Sequence, residues 1–496
     1  MTVPLTNFPG LFIGGAWAPA DTHGRDAVIN PATEEAIGQA PVGGVAEAEA
    51  AIAAAREAFD AGVWADLPQA SRTATMRRMY EAFLSRADHI KALMIAESGA
   101  TRRLSEGMLF AGALEHIDRL LDRSLLPRTR TLDIDTAPNP FDPSSRFIGA
   151  GVVVREPVGV VTAITPYNAP FLVNIAKVFP ALLAGNTMVL KPSPYTPFSA
   201  LMFGEVAQEI GLPPGVLNVV TGGADVGAML TSDPRIDMVT FTGSDQVGAA
   251  IMGQAAPTTK KLLLELGGKS ALIVREDADI ERAAMEAIFQ LTFNCGQGCA
   301  LSTRHLVHNA IRPAYVAAMK AVVGQITMGD PADPATMLGP LIRGAARDRV
   351  EAMVARGQAD GAKLVFGGSR PTHLPKGFFY NMTVFDDVES NMQIAQDEVF
   401  GPVASVIGFD TDEEAIRIAN DSRYGLLGGI HSRDPAKAFE MALKIRTGGL
   451  AINGGVRKQA DAPFGGYKRS GLGREYGDRW LDEYSHEKSI TFPIGL

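Results

Sequence analysis

The stretch that decides the fold is GVVTAITPYNAPFLVNIAKVFPALLAGNTMVLK, residues 159–191, in which two short apolar runs flank a longer one. The short runs, GVVTAIT and TMVLK, are rich in β-branched residues and have the length of buried strands. The longer run, FLVNIAKVFPALLAG, has the length of a helix. A strand, a helix and a second strand in this order predict parallel strands joined by a crossover helix.

The alternation continues towards the C-terminus. The helical segment SALMFGEVAQEIG is followed by the strand-like segments VLNVVTGG, MVTFTGS and KLLLELGG. A second series then begins, with SALIVRE, a helix over 280–291, TRHLVHN, a helix after Arg312, and ASVIGF. The first series resembles a nucleotide-binding α/β layer, and the second predicts a further α/β unit. The fold class is therefore α/β.

The remaining segments flank these two units. The N-terminal third is helical: AEAEAAIAAAREAFDAG ends at Gly62, and one long helix is predicted from near Ser71 to about Gly99. Two strand-like segments, TRTLDIDTAPNP (129–140) and KSITFPI (488–494), belong to neither unit. They pair either with another subunit or on their own chain, and the sequence does not decide between the two.

Composition excludes several classes of protein. The 496-residue chain is 46% hydrophobic and 20% charged, with a formal net charge of −9, which argues against non-specific nucleic-acid binding. The segment MTVPLTNFPG has no secretory character, and no apolar run has the length of a membrane span. Two cysteines give no disulfide framework, so a reducing, cytoplasmic compartment is expected.

The two cysteines, Cys295 and Cys299, lie in FNCGQGCALSTR, residues 293–304. A disulfide four residues apart needs a tight loop, and a metal site needs more ligands than His305 and His308 on one strand supply, so no metal is predicted. Cys299 follows a glycine-rich turn, which lets a substrate approach closely. We interpret Cys299 as a reactive thiol and Cys295 as a small buried hydrophobe.

Two further residues are candidates for the same chemistry, and each has a plain structural alternative. Glu265 lies in the apolar segment LELGGKS. It is either a salt-bridged or solvent-facing acid at a strand tip, or a general base whose pKa is raised by burial. Asn168 lies in TPYNAPF, either as a turn residue or as an amide that donates to an oxyanion.

These segments together resemble the aldehyde dehydrogenase superfamily. The family pattern Phe-x-Asn-x-Gly-Gln-x-Cys has its Asn, Gly, Gln and Cys at Asn294, Gly296, Gln297 and Cys299, while Thr292 stands at the position of its Phe. LELGGKS and TPYNAPF are similar to the glutamate and asparagine motifs of the family. Four further motifs, KPSPYTP, FTGSDQVG, QDEVFGPV and PFGGYKRSGLGRE, fall in the order that the family shows, and the motifs together span about residues 150–475.

The resemblance implies oxidation of an aldehyde to a carboxylic acid with NAD or NADP. Cys299 would attack the aldehyde carbon, Asn168 would stabilise the oxyanion, and Glu265 would activate the water that hydrolyses a thioester. A CoA-acylating relative, in which CoA takes the acyl group, is one alternative. A cofactor-independent cysteine hydrolase or acyltransferase is a second, and it would need a histidine partner for Cys299.

The resemblance also implies which residues hold the dinucleotide. They are Ile164, Thr165, Lys191, Ser193, Gly222, Gly243, Ser244, Leu266, Glu398 and Phe400. Many NAD-preferring members carry a glutamate where this chain has Pro194. Proline offers no carboxylate to bind two ribose hydroxyls and no charge to repel a 2′-phosphate, so we predict that NADP is tolerated or preferred.

The family's substrate tunnel would be lined by Ala169, Leu172, Val173, Phe293, Arg457 and Phe464. Several neighbours are small, which predicts a roomy, mainly apolar tunnel. Arg457 and Lys458 lie near its outer end, either in a solvated loop or as a pair that attracts an anionic aldehyde.

The expected architecture is a Rossmann-like cofactor domain, an α/β catalytic domain and a small β extension for oligomerisation. Residues 1–128 and 152–262 are assigned to the cofactor domain and 263–475 to the catalytic domain. Residues 129–151 and 476–496 are assigned to oligomerisation, which predicts a homodimer or homotetramer without nucleic-acid or membrane partners.

Overall fold

Two mixed sheets with helices packed on them and two smaller antiparallel sheets make up the computed structural model, which describes residues 7–19, 24–454 and 461–494. The strands are β1 Leu11–Ile13, β2 Ala16–Ala18, β3 Arg25–Ile29, β4 Ala36–Pro41, β5 Thr129–Pro138, β6 Arg146–Pro157, β7 Val160–Ile164, β8 Thr187–Lys191, β9 Leu217–Val219, β10 Met238–Thr242, β11 Lys261–Glu265, β12 Ser270–Val274, β13 Ser302–His308, β14 Lys363–Phe366, β15 Thr383–Asp386, β16 Val403–Phe409, β17 Gly428–His431, β18 Ala451–Ile452, β19 Gly471–Leu472 and β20 Ser485–Pro493.

The α-helices alternate with these strands through most of the chain. They are α1 Val45–Asp60, α2 Gln69–Ser85, α3 Ala87–Ser98, α4 Arg102–Leu104, α5 Ala113–Ser124, α6 Pro170–Leu183, α7 Phe198–Glu209, α8 Ala224–Ser232, α9 Asp245–Ala255, α10 Ile280–Thr292, α11 Arg312–Val323, α12 Gly344–Ala359, α13 Gln393–Gln396, α14 Asp412–Asn420, α15 Pro435–Ala442 and α16 Trp480–Glu483. A π-helical segment, Ser105–Gly112, joins α4 to α5. These strands and helices confirm the predicted α/β fold class.

The first large sheet has the strand order β19-β11-β10-β7-β8-β9-β1-β2. Strands β11, β10, β7, β8 and β9 are parallel, as the opening stretch predicts. Alternate residues along β7 face opposite sides: Val160 belongs to the core that α1, α8 and α9 cover, and Val161 to the larger core that α6 and α7 cover. Burial on both faces explains why these strands are apolar throughout.

The carboxyl ends of the parallel strands meet at one edge of this sheet, because the strands run in the same direction. Lys191 ends β8, Thr242 ends β10 and Glu265 ends β11. Asn168 lies in the loop after β7, and Gly222 lies in the loop after β9. In open α/β sheets, ligands bind in the crevice at this edge.

The second large sheet has the order β14-β15-β16-β13-β12-β17-β18 and is parallel from β15 to β18. It begins five residues after Glu265, which ends β11 of the first sheet. The helix α10 follows β12 and leads directly into the loop of Cys299. The nucleophile loop is therefore carried by the second sheet, and the predicted base by the first.

The two segments outside these units, 129–140 and 488–494, form strands β5 and β20. Both pair antiparallel with β6, so each finds its partner on its own chain. The three-stranded sheet nevertheless exposes apolar side chains, including Ile134, Ile148, Ile490 and Phe492. Its outer edges, formed by β5 and β20, also remain available for pairing.

The prediction of one helix from Ser71 to Gly99 is wrong in detail, because the helix is interrupted at Arg86, between α2 and α3. The Arg86 backbone N–H donates to the Phe83 carbonyl at 3.2 Å, and its side chain donates to the Ala82 carbonyl at 3.0 Å. These bonds satisfy last-turn carbonyls of α2, which ends at Ser85, and α3 begins at Ala87. Among the described helices, none combines the length and the apolar character that crossing a membrane requires.

Candidate active site

The loop that carries both cysteines changes direction sharply after α10. Asn294, Cys295 and Gly296 have φ values of +45°, +56° and +73°, which place three successive residues in the left-handed region. A side chain on Gly296 would lie 2.1 Å from the Gly401 carbonyl oxygen, so only glycine fits there. The turn buries Cys295 completely and leaves Cys299 half-buried at the start of an open space.

A set of hydrogen bonds ties this loop to Asn168. The Asn168 side-chain amide donates to the Gln297 carbonyl at 2.8 Å, and the Asn294 side-chain amide donates to the Asn168 carbonyl at 2.8 Å. Gln297 in turn donates to the Asn294 carbonyl at 2.8 Å and accepts from the Ile342 N–H at 3.0 Å. Asn168 is therefore held by two bonds to the nucleophile loop, although it lies on a loop of the other sheet.

Glu265 and the two glycines after it bring the sheets together beside Cys299. A side chain on Gly268 would lie 2.2 Å from the Cys299 carbonyl oxygen, and one on Gly267 would lie 2.6 Å from a Glu398 carboxylate oxygen. The Gly268 N–H donates to Glu398 at 3.0 Å. The LELGG sequence thus permits a backbone approach that no larger residue would allow.

Two cavities meet at this point. The first, called the polar cavity below, has a volume of about 320 Å³ and is lined by the polar or charged residues Ser244, Arg343, Arg349 and Glu398 together with Phe400. Burial raises the pKa of Glu398 to about 7, against the opposing effect of the bond from Gly268. The residues that border the first cavity and also border the second are Asn168, Thr242, Glu265 and Cys299.

The second cavity has a volume of about 510 Å³ and is mainly apolar. Its apolar lining consists of Met108, Ala169, Leu172, Val173, Met285, Phe289, Phe293, Ala300, Leu301, Phe464 and Tyr476. Met285 and Phe289 lie one turn apart on α10 and are 48% and 40% exposed, which places them at the open end. The two cavities therefore reach Cys299 from different sides.

Three charged groups of the apolar cavity, Glu286, Glu475 and Arg282, are bound to protein partners. Glu286 lies 2.9 Å from the His431 imidazole and accepts from Gln290 at 3.1 Å. Glu475 forms a buried ion pair with Lys177 at 2.8 Å. Arg282 donates to the Asn453 carbonyl.

The structure distributes the predicted dinucleotide residues along the sheet edge. Gly243, Ser244, Leu266, Glu398 and Phe400 line the polar cavity with Cys299. Ile164, Thr165, Lys191, Ser193 and Gly222 lie at the ends of β7, β8 and β9, beyond that cavity on the same edge. Ser244 caps α9 by accepting from the Val247 N–H at 3.3 Å, which places a helix N-terminus at the cavity wall.

The predicted tunnel residues Ala169, Leu172, Val173, Phe293 and Phe464 all line the apolar cavity. Arg457 and Lys458 lie outside the described residues, so the hypothesis about an anionic aldehyde stays a prediction. The roles assigned to the site residues likewise stay predictions that the geometry accommodates.

Several residues of the site were not predicted from the sequence. Met285 and Phe289 carry a readable signal, since two large apolar residues four apart on the exposed side of α10 indicate a surface that binds something. Met108 lies in the π-helical segment, a feature that is often found at functional sites. Arg343 immediately precedes α12 and Arg349 lies in its second turn, and neither belongs to a motif named in the sequence analysis.

Comparisons with known proteins agree on one family. A profile of the family described as "Aldehyde dehydrogenase family" matches residues 17–490. The chloroplastic betaine aldehyde dehydrogenase of Atriplex hortensis is 38% identical over 98% of this chain and 96% of its own. The crystal structure of an aldehyde dehydrogenase of Mycobacterium tuberculosis, complexed with NAD+, is 42% identical over 99% of each chain, with a TM-score of 0.92.

A third comparison concerns a structure that contains an aldehyde. It is a mutant of aldehyde dehydrogenase C from Pseudomonas syringae, complexed with NAD+ and octanal. It is 37% identical over 99% of this chain and 96% of its own, with a TM-score of 0.90.

Proposed function

The chain belongs to the aldehyde dehydrogenase family, and we propose that it oxidises an apolar aldehyde to the carboxylic acid through a thioester on Cys299. The observation that carries this proposal is the meeting of a polar and an apolar cavity at one half-buried thiol. Oxidation of an aldehyde by hydride transfer suits this arrangement, because the thiolate and the hydride acceptor must both reach the aldehyde carbon while its hydrocarbon group occupies a separate space.

The first half of the reaction uses Cys299 and Asn168. The Cys299 thiolate adds to the aldehyde carbon, and the carbonyl oxygen becomes an oxyanion. One N–H of the Asn168 amide is committed to the Gln297 carbonyl, which leaves the second N–H for the oxyanion beside the Cys299 backbone N–H. A bound nicotinamide dinucleotide supplies the acceptor for the hydride that leaves this carbon.

The second half uses Glu265. With the acyl group held as a thioester on Cys299, the Glu265 carboxylate takes a proton from water as that water adds to the acyl carbon. The carbon–sulfur bond then breaks, the thiolate is regenerated and the carboxylic acid is released. Glu265 borders both cavities beside Cys299, so it can reach an acyl carbon held on that sulfur.

The residues of the polar cavity suit a nicotinamide dinucleotide. The N-terminus of α9 at Ser244 and the two guanidinium groups of Arg343 and Arg349 suit a diphosphate. Glu398 has acceptor oxygens for ribose hydroxyls, and Phe400 packs edge-on against Tyr167 with 6.0 Å between ring centroids. The solved relatives complexed with NAD+ add support from outside the chain.

The apolar cavity favours an uncharged aldehyde with an extended hydrocarbon group. Two of its acids, Glu286 and Glu475, are held by protein partners, one through a hydrogen bond with His431 and one through an ion pair with Lys177, which makes them poor partners for a cationic substrate. Burial of each additional methylene in such a cavity is worth about 0.8 kcal/mol, which favours longer chains. The octanal complex of the Pseudomonas syringae relative supports this class over the cationic aldehyde named for the Atriplex relative.

A panel of aldehydes tests the proposal. We expect kcat/KM to rise along propanal, hexanal and octanal, and to be at least about tenfold lower for betaine aldehyde than for octanal, as a hydrophobic preference of this size implies. Phe289→Ala should raise KM for octanal, whereas the matched variant Phe439→Ala, on the exposed surface of α15, should not. Equal kcat/KM for propanal and octanal, or a preference for betaine aldehyde, would refute the apolar class.

The CoA-acylating alternative is tested by analysis of the product. A free carboxylic acid formed at the same rate with and without CoA supports hydrolysis by way of Glu265. A rate that depends on CoA, with an acyl-CoA as the product, contradicts it. Membership of a dehydrogenase family already argues against the cofactor-independent hydrolase.

A homo-oligomer and a cytoplasmic location complete the proposal. The three-stranded sheet exposes Ile134 at 68%, Ile490 at 47% and Phe492 at 49%, and the hairpin between β5 and β6 exposes Phe141 at 90%. Apolar surface of this kind is typical of a subunit interface. Light scattering of the purified protein should give at least twice the mass of one chain, and a monomer mass at micromolar concentration would contradict the proposal.

A further inference from the structure

The adenosine end of the dinucleotide site has an unusual distribution of charge. Lys191 ends β8 and is only 6% exposed, and its ammonium has a weak contact with the Pro192 carbonyl at 3.4 Å. Burial lowers the pKa of Lys191 to about 8, and the carboxylate of Asp225 acts in the opposite direction. The Asp225 carboxylate is therefore close enough to Lys191 to interact with it electrostatically, whereas position 194 is a proline and has no carboxylate.

Asp225 reaches this place from a different element. It lies in the first turn of α8, which follows β9, the parallel neighbour of β8. The first turns of α8 pack against Lys191: a side chain on Gly227 would lie 3.9 Å from the Lys191 Cε. The Asp225 side chain is exposed and turns back towards Gly223, with its Oδ1 3.0 Å from the position of a Gly223 Cβ. It therefore borders the crevice between the ends of β8 and β9.

Cations are scarce in the chain segments that follow the three neighbouring strands at this edge. In the three segments that follow β8, β9 and β10, residues 191–198, 221–232 and 243–256, Lys191 is the only lysine or arginine. Arg343 stacks on the ring of Tyr195 at 4.5 Å, but it borders the cavity of Cys299 with Ser244 and Phe400. A 2′-phosphate next to Lys191 would meet one ammonium and one carboxylate.

We propose that Asp225 makes the enzyme select NAD over NADP, by accepting a hydrogen bond from an adenosine ribose hydroxyl and by repelling a 2′-phosphate. The proposal rests on the proposed function and concerns the adenosine end of the same site. It reverses the preference that Pro194 alone predicts, because a carboxylate on α8 replaces the one that is missing after Ser193.

Two physical effects act in the same direction. A carboxylate that accepts from a ribose hydroxyl makes a charge-assisted hydrogen bond, which a phosphorylated 2′-oxygen cannot donate. A phosphate dianion beside that carboxylate is repelled, and since Asp225 is exposed, the repulsion weakens as salt is added. The selectivity should therefore depend on ionic strength, whereas a purely structural role of Asp225 would not.

Direct binding of NADH and NADPH tests the proposal without turnover. Dissociation constants are measured by nicotinamide fluorescence with the full-length protein, at low and high salt. For the wild type we expect NADH to bind at least about tenfold more tightly than NADPH at low salt, a difference of about 1.4 kcal/mol. Asp225→Ser should tighten NADPH about tenfold and weaken NADH severalfold.

Two further variants separate the effects. Asp225→Asn removes the charge but keeps an acceptor oxygen, so it should tighten NADPH like the serine variant and weaken NADH less. Glu413→Gln removes an equal charge from the first turn of α14, in the other sheet, and should leave both dissociation constants unchanged. Melting temperatures identify any variant that is unfolded.

The outcomes distinguish this proposal from the proposed function. If neither dinucleotide binds the wild type, the proposed function fails. If both bind and NADPH binds as tightly as NADH, or if Asp225→Ser leaves their ratio unchanged, the function stands and the role of Asp225 is refuted. If added salt does not reduce the discrimination of the wild type, the repulsive part is refuted.

Discussion

Cys295 and Cys299 lie four residues apart on one loop, and the structure gives them opposite environments. Cys295 is fully buried among the apolar residues of the second sheet, and burial raises the pKa of its thiol far above the ordinary value. Cys299 is half-buried and borders both cavities. The three left-handed residues 294–296 produce this difference, because they turn one side chain into the core and carry the next thiol out of it.

The comparison shows that a reactive group is defined by what surrounds it and not by its chemical type. The same contrast holds for carboxylates. Glu265 and Glu97 are both buried, but Glu265 borders two cavities and Glu97 binds the start of α7 inside the core. The same substitution made at each member of such a pair, one residue at a cavity and one in the core, therefore tests the assignment of function most directly.

The largest effect is expected at the two cysteines. Cys299→Ala removes the nucleophile and should lower kcat by roughly 10⁴- to 10⁶-fold, as the loss of a covalent nucleophile does elsewhere. Cys295→Ala, the matched control, should retain most activity and cost roughly 1 kcal/mol of stability through the lost packing. Steady-state dehydrogenase assays and melting curves of both variants check this. Substantial turnover by the alanine variant at position 299 would refute the thioester mechanism.

The next effect concerns Glu265. Glu265→Gln keeps the shape of the side chain but removes the base, so deacylation should slow by about 10²- to 10⁴-fold while hydride transfer continues. Rapid mixing should then show a burst of NADH close to one equivalent per active site, followed by a slow steady state. Hydroxylamine accepts the acyl group from a thioester without a base and should restore turnover. A variant without a burst, or one insensitive to hydroxylamine, would place Glu265 in a different step.

A third effect concerns the bonds that hold Asn168 against the nucleophile loop. Asn168→Ala removes an oxyanion donor and should lower kcat by about 10²- to 10³-fold. Asn294→Ala removes the bond to the Asn168 carbonyl and should lower kcat less, with little change in KM. Asn294 affects catalysis through the position of Asn168, whose side-chain amide is the oxyanion donor. The double variant should therefore resemble Asn168→Ala, with a coupling energy of roughly 0.5–3 kcal/mol.

Additive effects in this double-mutant cycle would mean that Asn294 acts independently of the oxyanion donor. The alkylation rate of Cys299 by iodoacetamide serves as the control. It should be similar in all three variants if the loop remains folded and only the donor is displaced.

Much of the fold and part of the site could be predicted from the sequence. The parallel strands of the first sheet could be predicted, because burial on both faces makes each of them apolar throughout. Glycines or helices separate them along the chain. The site residues Asn168, Glu265 and Cys299 could also be predicted, because each lies in a short motif in which glycine or proline fixes the backbone. Local sequence contains that information.

The parts that could not be predicted depend on how distant elements pack. Phe289 of α10 and Met108 of the π-helical segment line the same apolar cavity although they are far apart in the sequence. Asp225 approaches Lys191 only because β9 lies beside β8. The break at Arg86 has no glycine or proline to mark it and becomes visible only through its hydrogen bonds to the end of α2.

The smallest effect on catalysis, and the sharpest test of the carboxylate pair, concerns Glu97. This side chain accepts bonds from the Phe198 and Ser199 N–H groups at 3.1 Å and from the Ser199 hydroxyl, and burial raises its pKa to about 8. Since the carboxyl keeps its proton in the folded state but loses it near pH 4.5 when unfolded, its contribution to stability should be complete below pH 4.5 and lost as the pH rises to 8. Linkage makes this loss a few kcal/mol.

Glu97→Gln cannot ionise, so the melting temperature of the variant minus that of the wild type should increase from pH 5 to pH 8, with activity unchanged. A difference that does not vary with pH would mean that Glu97 titrates normally and that its burial has no electrostatic cost.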